Sequence, residues 1–275
     1  MLEYIKDLLF SRGIDTVGAL PLSACRIIRP YKLERCNSGK SDSLFAVVFA
    51  IPYYTHHGKR NLSSYAIPRD YHLFCKELFS EILPILRSGY PEYTFEGFAD
   101  DSPIDEISAA ALAGLGIIGR NRLLITPKYS SYVFLGEIIT DAPINVPSDL
   151  KIEYCEDCGR CQELCPMHKC GVCLSGVTQK KGELTDKEKQ LIQQYLSIWG
   201  CDICQEVCPH TLRAINAGTI FTNIDFFKSE LIPVLSKERL DQMSESDFSK
   251  RAYSWRGINT IKRNICLINE KTKEI

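Results

Sequence analysis

The spacing of apolar residues along the first 90 positions predicts helices and strands in turn. An amphipathic helix at the N-terminus is indicated by one apolar face, made of Leu2, Ile5, Leu8 and Leu9. The run LFAVVFAI is rich in β-branched and aromatic residues and lacks polar alternation, so we expect a strand covered on both faces. Apolar residues then return at helical spacing, with a kink expected at Pro84. The predicted elements are a helix over 1–12, strands over 16–22 and 44–51, and a helix over 62–87.

The segment 93–140 carries signals for one helix between strands. Ser102 can cap a helix whose first position is Pro103, and Gly114 marks its end. The glycines of GLGIIGRN form a GxGxxG pattern, but they follow a helix and precede a strand, whereas the dinucleotide fingerprint needs the opposite order. The predicted strands span 93–99, 122–126 and 131–140, and the last two are expected to form an antiparallel pair.

The second half of the chain begins after a connector rich in proline, DAPINVPSD, which places a boundary near residue 150. Thr185 and Glu188 form a capping-box pattern ahead of a helix that we expect to reach about Trp199. The chain beyond residue 210 is expected to be helical. The predicted division is into three consecutive segments, 1–150, 151–215 and 216–275.

Composition and charge place the chain among ordinary globular proteins. Hydrophobic residues make up 45% and charged residues 24% of the 275 positions, and the net charge is −1. This balance demands neither a nucleic acid nor a membrane as a partner. The N-terminal stretch carries acidic residues, unlike a signal peptide, and the longest strongly apolar run is too short to span a bilayer.

Two cysteine motifs give the most specific chemical signal. CEDCGRCQELCP has the CxxCxxCxxxCP spacing of iron–sulfur ligands, and CDICQEVCP carries three more cysteines before a second proline. In two-cluster ferredoxins the fourth cysteine of a motif ligates the other cluster, which predicts two [4Fe–4S] clusters with ligands exchanged between the motifs. The first set is Cys155, Cys158, Cys161 and Cys208. The second set is Cys165, Cys201, Cys204 and either Cys173 or Cys170.

Other uses of cysteine are less specific matches to this pattern. CxxC pairs also bind zinc, and a secreted chain could use such cysteines in disulfides, but two CxxC units each followed by xxxCP favour clusters. A reducing cytoplasm is the expected location for thiolate-held clusters. The remaining cysteines are scattered and expected to be small core residues: Cys25, Cys36, Cys75 and Cys266.

The first 150 residues are long enough to hold a cofactor pocket. We therefore infer that the predicted clusters transfer single electrons to a redox site in this part of the chain. Arg69, Asp70 and His72 fall within one predicted helical turn and could line that pocket. A basic connector, which is equally consistent with a solvated loop, carries Arg26, Arg29, Lys32, Arg35 and Lys40.

The sequence resembles the epoxyqueuosine reductases, cobalamin-dependent iron–sulfur enzymes of tRNA modification, over nearly its whole length. The matching segments are AVVFAIPYY, SYAIPRDYH, the Asp100 junction, AGLGIIGRN, SYVFLGEIITDAP, the first cysteine motif, CLSGVTQKKG, WGCDICQEVCP and SWRGINTIKRN. The CLSGVTQKKG match implies Cys173, and not Cys170, as a ligand. The implied fold is α+β, with a nitroreductase-like α/β domain that binds cobalamin, a ferredoxin-like domain with two [4Fe–4S] clusters, and a helical C-terminal segment.

The resemblance also implies a reaction and the residues that perform it. Reduced cobalt engages the epoxide of epoxyqueuosine in a tRNA anticodon loop, an acid protonates the oxygen, and water leaves to give the alkene of queuosine. Counting back from the AGLG motif identifies Asp100 as the residue at the position of the family's acid. Asp101 lies one position away from that place. Burial against the corrin would favour the protonated acid near neutral pH. The residues implied near cobalamin are Arg69, Asp70, His72, Asn121, Leu124 and Leu135.

The resemblance leaves more than one substrate open. Family members continue beyond SWRGINTIKRN into helical repeats that help to bind tRNA, whereas this sequence ends soon after it and has a net charge near zero. The alternatives are a corrinoid reductase of a small molecule, similar to reductive dehalogenases, and a ferredoxin-type electron carrier. The expected partner is an external electron donor of the flavodoxin or ferredoxin type, with no membrane.

Overall fold

The computed structural model describes residues 1–36, 43–55 and 58–273, so Lys40 of the predicted basic connector lies outside the described part. The structure mixes helices and sheet, as predicted. Two compact units alternate along the sequence. Unit 1 comprises Met1–Tyr53, His72–Cys158 and Arg213–Ile224, and unit 2 comprises Tyr54–Tyr71, Gly159–Leu212 and Asp225–Ile275. The division into 1–150, 151–215 and 216–275 stays a prediction about functional domains.

The regular elements follow one another in this order. The strands are β1 (Thr16–Pro21), β2 (Phe45–Pro52), β3 (Phe95–Phe98), β4 (Ile117–Ile118), β5 (Leu124–Ile125) and β6 (Val133–Thr140). The helices before the cysteine motifs are α1 (Leu2–Phe10), α2 (Tyr71–Gly89) and α3 (Glu106–Leu112). The later helices are α4 (Arg160–Leu164), α5 (Pro166–Cys170), α6 (Leu174–Gln179), α7 (Asp186–Tyr195), α8 (Ile203–Glu206), α9 (Pro209–Asn216), α10 (Asp225–Lys228), α11 (Lys237–Asp241), α12 (Glu245–Ser249) and α13 (Ile258–Lys273).

The main sheet of unit 1 has the strand order β1-β2-β6-β3, and all neighbouring strands are antiparallel. The strands predicted near its four positions are confirmed, and β2 is buried almost from end to end because it is apolar throughout. One charged residue interrupts the apolar run of β6. This residue, Glu137, lies opposite Val48 of β2 and Phe98 of β3. Helix α3 packs against β2 and β6.

The predicted helix over 62–87 is wrong at its start. Helix α2 begins at Tyr71 and continues through Pro84. Pro68 lacks a backbone N–H and so removes one hydrogen bond from any helix that would run through it, and the residues upstream form only a short 3-10 helix over Ser64–Ala66. Those upstream residues belong to unit 2.

The predicted start of the next helix is also wrong. Helix α3 is capped by Asp105, whose carboxylate accepts a hydrogen bond from the Ser108 amide at 3.4 Å. Ser102 instead accepts a hydrogen bond from the Ile104 amide at 3.0 Å, inside the preceding loop. Gly114 follows the end of the helix with a φ of +78°, as a stop position requires.

The strand predicted over 122–126 pairs differently from the prediction. Strand β5 forms a two-stranded antiparallel sheet with β4, not with β6. Gly116 explains the pairing, because a Cβ atom there would meet the backbone carbonyl of Ile125, so only glycine permits this close approach. The glycine-rich segment is therefore one arm of a hairpin.

Unit 2 is held together by an apolar core among its helices. Trp199 is fully buried, and the Tyr253 ring packs edge-on against it with 6.4 Å between centroids. Helix α7 begins at the predicted capping box, in which Thr185 and Glu188 satisfy each other's backbone amides. It ends before Trp199, earlier than predicted, because Leu196 adopts a left-handed conformation.

Across the described ranges, the helices lack the combination of length and apolar character that a membrane-crossing segment needs.

Candidate functional site

Asp100 occupies a strained turn between β3 and α3. Its φ of +65° lies in the left-handed region, which is uncommon for a residue other than glycine and concentrates at functional sites. The backbone N–H of Asp100 donates a hydrogen bond to Glu106 Oε1 at 3.0 Å. Its side chain is 70% exposed, and its Oδ2 lies 3.6 Å from His72 Nε2. The turn therefore presents a carboxyl group beside an imidazole at the surface of unit 1.

Asp101, the neighbouring candidate for the acid, forms ion pairs with basic side chains. Its carboxylate pairs with Lys32 and lies 3.4 Å from Arg29 Nε. The hydrogen bond from Lys32 lowers the pKa of Asp101, since it favours the charged form. Part of the predicted basic connector thus holds Asp101 ionised, which makes it a poor proton donor. Of the two aspartates, Asp100 is the one that the structure leaves beside His72.

Two glutamates lie behind the Asp100 turn. Glu137 on β6 is fully buried, and Glu106 at the start of α3 is half-buried. Burial raises the pKa of Glu106 to about 7, with a further contribution from the Asp100 charge, while the hydrogen bond from the Asp100 amide opposes the increase. Burial and the neighbouring Glu106 raise the pKa of Glu137 well above its usual range. Both glutamates therefore favour the protonated form more than an exposed carboxyl group does.

The Arg-Asp-Tyr-His segment is shared between the two units. His72 belongs to unit 1, whereas Arg69 and Asp70 belong to unit 2. The Arg69 guanidinium lies over the Phe226 ring at 4.1 Å, and its Nε is 3.5 Å from Glu230. The Asp70 amide donates to a backbone carbonyl 2.8 Å away, so that part of the segment is fixed within unit 2.

The other residues implied near a cofactor lie in unit 1. Leu124 is buried in the apolar cluster beneath α3, and Leu135 is half-buried at its edge. Asn121 accepts a hydrogen bond from the Leu123 amide at 3.3 Å, which shapes the turn between β4 and β5. Within this group, Leu135 presents apolar surface that the core leaves partly uncovered.

The loop of the first cysteine motif is anchored on β4. The Cys155 amide donates to the Ile118 carbonyl at 3.1 Å, and the Ile118 amide donates to Glu153 at 2.8 Å. The Arg120 amide donates to Cys155 Sγ at 3.3 Å, and the Arg120 guanidinium pairs with Asp157 at 2.6 Å. An amide hydrogen bond to a ligand sulfur is a standard means of tuning a cluster.

The cysteines of the first predicted set are divided between the units. Cys155 and Cys158 belong to unit 1, and Cys161 and Cys208 belong to unit 2. Cys158 is exposed, whereas Cys208 is buried. Asp157, between the first two cysteines, has a positive φ of +53°, which curls the loop tightly.

The second predicted set lies wholly in unit 2. Burial raises the pKa of Cys201 to about 12, and the charges of nearby Cys204 and Cys165 add to the increase. Cys173 is exposed at the start of α6, whereas the Cys170 thiol donates to the Pro166 carbonyl of its own helix at 3.0 Å. The three thiols that influence one another therefore belong to the same predicted set.

All thirteen cysteines are free thiols. Cys36 and Cys75 are buried as expected, but Cys25 is half-buried and Cys266 is exposed on α13, so the prediction of a core position is wrong for Cys266. Over residues 1–36, 43–55 and 58–273, no three His, Cys, Asp or Glu side chains converge as the ligands of a single metal ion.

A buried aspartate fixes the loop of the second cysteine motif. Asp202 accepts hydrogen bonds from the Ser63 hydroxyl and from the Ser64 amide, the latter at 2.6 Å, and its Oδ2 lies 3.3 Å from Arg60 Nη2. Such charge-assisted bonds are stronger than neutral ones. The segment between Cys201 and Cys204 is thereby held on the Arg60–Ser64 segment of the same unit.

Four residues that support the two sites were not predicted from the sequence. These are Glu106, Glu137, Arg120 and Asp202. A signal existed for two of them, because Glu137 is the one charge in the apolar stretch SYVFLGEIIT, and Asp202 stands between two cysteines of the second predicted set. For Arg120 the sequence gives no signal, since the contact comes from its backbone amide.

Comparison with known proteins finds relatives in sequence and in fold. The epoxyqueuosine reductase of Lactococcus garvieae (strain Lg2) is 30% identical over 226 residues, which cover 78% of this chain and 62% of that protein. The Listeria monocytogenes enzyme is 31% identical over 220 residues, which cover 74% of this chain and 55% of that protein. No protein-family model matches the chain.

Solved structures give the same result for the fold. A crystal structure of epoxyqueuosine reductase with an epoxyqueuosine-modified tRNA-Tyr stem loop is 24% identical, with a TM-score of 0.76 and coverage of 98% of this chain and 81% of that chain. A Bacillus subtilis epoxyqueuosine reductase, solved with its catalytic aspartate loop swung out of the active site, has a TM-score of 0.74 at 24% identity and the same coverage.

The chain spans less than two thirds of the length of the curated relatives it matches. The structural likeness shows a shared fold across 98% of the chain. This chain is therefore a relative of the epoxyqueuosine reductases in both sequence and fold.

Proposed function

We propose that this protein is an oxidoreductase that removes the oxygen of an epoxide to leave an alkene, with epoxyqueuosine in tRNA as its substrate. The observation that carries the proposal is the Asp100 turn, which has left-handed backbone geometry and a carboxyl group 3.6 Å from His72. One of its structural neighbours was solved with an epoxyqueuosine-modified tRNA stem loop, which supports tRNA as the substrate class.

Two [4Fe–4S] clusters are the electron carriers of the proposed reaction. The ligands are Cys155, Cys158, Cys161 and Cys208 for one cluster, and Cys165, Cys173, Cys201 and Cys204 for the other. The free thiols, the CxxCxxCxxxCP spacing and the shared electrostatic environment of three thiols in unit 2 support this assignment. Cys170 is left out because its thiol bonds to its own helix.

Cobalamin is the proposed redox cofactor, and it would supply a low-valent metal that takes up electrons from the clusters and delivers them to carbon. The chain's own contribution is apolar surface and polar contacts. Leu135 is partly uncovered at the edge of an apolar cluster, which suits a flat macrocycle, and His72 lies beside Asp100. Arg69, Asp70, Asn121 and Leu124 remain proposed contacts, carried by the sequence resemblance.

The acid–base part of the reaction is assigned to Asp100. Loss of the epoxide oxygen as water consumes two electrons and two protons, and Asp100 donates a proton to the oxygen as the carbon–oxygen bond breaks. The electrons come from an external flavodoxin- or ferredoxin-type donor. His72, within 3.6 Å, orients the Asp100 carboxyl group, while Asp101 stays paired with Lys32.

The test compares two adjacent aspartates in a turnover assay. The anaerobically reconstituted protein is given an epoxyqueuosine-modified stem loop and a chemical reductant, and the queuosine product is measured by mass spectrometry. Asp100→Asn should keep both clusters and cofactor binding but lose about 10²-fold or more in rate, as expected for a positioned acid. Asp101→Asn, the matched control, should stay within about threefold of wild type. Full activity of Asp100→Asn would remove the acid role, and no product from wild type would remove the proposed function.

A further inference from the structure

The buried carboxyl pair behind the Asp100 turn has no role in the function proposed above. Glu137 is 0% exposed and lies between Val48 and Phe98, which belong to the apolar cluster under α3. Within the described residues, neither of its carboxylate oxygens has a hydrogen bond of normal geometry. A buried acidic group without partners is expensive to ionise, so it is kept as a neutral acid or shares a proton with a neighbour.

Glu106 is that neighbour, and it connects the buried acid to the turn. Glu106 and Glu137 affect each other's ionisation directly, as two carboxyl groups do when they occupy one site. Glu106 Oε1 also accepts the hydrogen bond from the Asp100 amide at 3.0 Å. The order from interior to surface is therefore Glu137, Glu106 and Asp100, and all three belong to unit 1.

The other charged and polar groups near Glu106 and Glu137 do not compensate the charge that would arise if both carboxyl groups were ionised. Arg29 acts on Glu106 from a distance, but its guanidinium donates to the Ser102 carbonyl at 2.8 Å and lies near Asp101. The Ser102 hydroxyl is a neutral donor that favours the charged form of Glu137, but its effect is smaller than those of burial and Glu106. Cys25, on the same side of the sheet, has its pKa raised to about 12 by burial and then by the Glu137 charge, so it is a neutral thiol.

We propose that Glu137 and Glu106 share one exchangeable proton beneath the Asp100 turn, and that they are positioning residues which hold the turn and resupply its acid. The inference rests on the proposed function of Asp100. The Asp100 side chain is 70% exposed, whereas Glu137 is fully buried and Glu106 is half-buried behind the turn.

The proton balance of the proposed step is simple. Asp100 gives its proton to the leaving oxygen and becomes a carboxylate. The pair then passes its shared proton to Asp100 from Glu106, the member nearer the turn, and takes up one proton from solvent before the next turnover. No electron is transferred in these steps.

The test uses Glu137→Gln, which keeps the shape and removes the acid, with Glu96→Gln as a matched control. Glu96 lies on β3 of the same sheet, but it forms ion pairs with Arg87 at 2.9 Å and with Arg35 at 3.6 Å. The first measurement is the infrared carbonyl band of protonated carboxylic acids at pH 8, where Glu106 alone would be mostly ionised, in the protein without cofactor. The band should be present in wild type, lost in Glu137→Gln and kept in Glu96→Gln. Absence of the band in wild type, or its survival in Glu137→Gln, would overturn the shared proton.

The second measurement is the pH profile of turnover in the reconstituted enzyme. Glu137→Gln should match wild type below pH 6 and lose rate at a lower pH than wild type on the alkaline side, by about tenfold at pH 8, because Glu106 then has no neighbouring carboxyl group with which to share the proton. Glu96→Gln should follow wild type. A profile of Glu137→Gln that overlays wild type would overturn the supply of protons to Asp100.

Two outcomes separate this inference from the proposed function. If wild type makes no product, the proposed function fails, and the role of the pair in supplying protons to Asp100 fails with it. The infrared measurement still shows, independently of turnover, whether Glu106 and Glu137 share a proton. If Glu137→Gln does not fold, Glu106→Gln replaces it, because the amide oxygen of the introduced glutamine can still accept the hydrogen bond from the Asp100 amide. In that variant the band should remain, because the fully buried Glu137 stays a neutral acid. The alkaline loss of rate is still required, and a wild-type pH profile would overturn the inference.

Discussion

Replacement of Gly200 by alanine should destabilise unit 2 and release iron from the second predicted cluster. Gly200 directly precedes Cys201 and has a φ of +74°. A Cβ atom built there would lie 2.5 Å from the Cβ of Ser63 and 3.0 Å from the Tyr65 ring. Ser63 also donates a hydrogen bond to Asp202, which lies between Cys201 and Cys204. The clash would therefore disturb the hydrogen bond that holds this cysteine loop in place.

The size of the effect has two parts. The left-handed conformation costs about 1–2 kcal/mol for any residue with a Cβ. The overlap with Ser63 adds about 1–3 kcal/mol, the usual range for overpacking a buried site. Gly200→Ala should therefore lower the free energy of unfolding by about 2–5 kcal/mol.

Gly182→Ala is the matched control for this experiment. Gly182 has a φ of +77°, almost that of Gly200, but no atom lies within 4 Å of the Cβ position. It should cost only about 1–2 kcal/mol. The assay is urea denaturation of the unloaded proteins together with the iron content after anaerobic reconstitution. Equal losses in the two variants would refute the steric argument, and full iron loading of Gly200→Ala would refute the role of Gly200 in placing Cys201.

Three further predictions concern the buried acids and the ligands. Asp202→Asn should lower the free energy of unfolding by about 3 kcal/mol, because it removes a buried charge that bonds a hydroxyl, an amide and a guanidinium; denaturation within about 0.5 kcal/mol of wild type, the level of a surface change, would contradict this. The pKa of Glu106 is raised from 4.5 to about 7, so the stability linked to its protonated form is fully present below pH 4.5 and lost as pH rises through 7. At about 1.36 kcal/mol per pH unit, wild type should lose about 3 kcal/mol over this window relative to Glu106→Gln, and parallel stability curves for the two proteins would disprove it. Cys173→Ala should lose about one cluster of iron while Cys170→Ala loses none; the opposite pattern in an iron assay would exchange the two assignments.

The sheet of unit 1 could be predicted from the sequence because its strands carry strong local signals. The apolar run of β2 predicted a strand covered on both faces, and the structure confirms it. The start of α2 could not be predicted from spacing alone. Leu62 and Ile67 have helical spacing with the residues of α2, but they pack into the core of unit 2. Periodicity does not tell which core a residue joins.

The candidate sites divide in a similar way. The cysteine motifs are visible in the sequence because their chemistry depends on residue type and short spacing, whereas Asp100 is indicated only by the resemblance to the epoxyqueuosine reductases. The Glu106–Glu137 pair is not, since the two residues meet only when β6 and α3 pack together. The choice between Asp100 and Asp101 also depends on tertiary contacts, because Lys32 and Arg29 reach Asp101 from a loop nearly 70 residues earlier. Long-range pairings of this kind leave no local pattern.

The most direct test of the account is an optical titration of the anaerobically reconstituted protein with cobalamin, with iron and sulfide counted in the same sample. The account predicts about eight irons and eight sulfides per chain. It also predicts a saturable change in the cobalamin spectrum and reduction of the bound cobalamin when the clusters are reduced. Four or fewer irons per chain, or a cobalamin spectrum that does not change on addition of the protein, would contradict it.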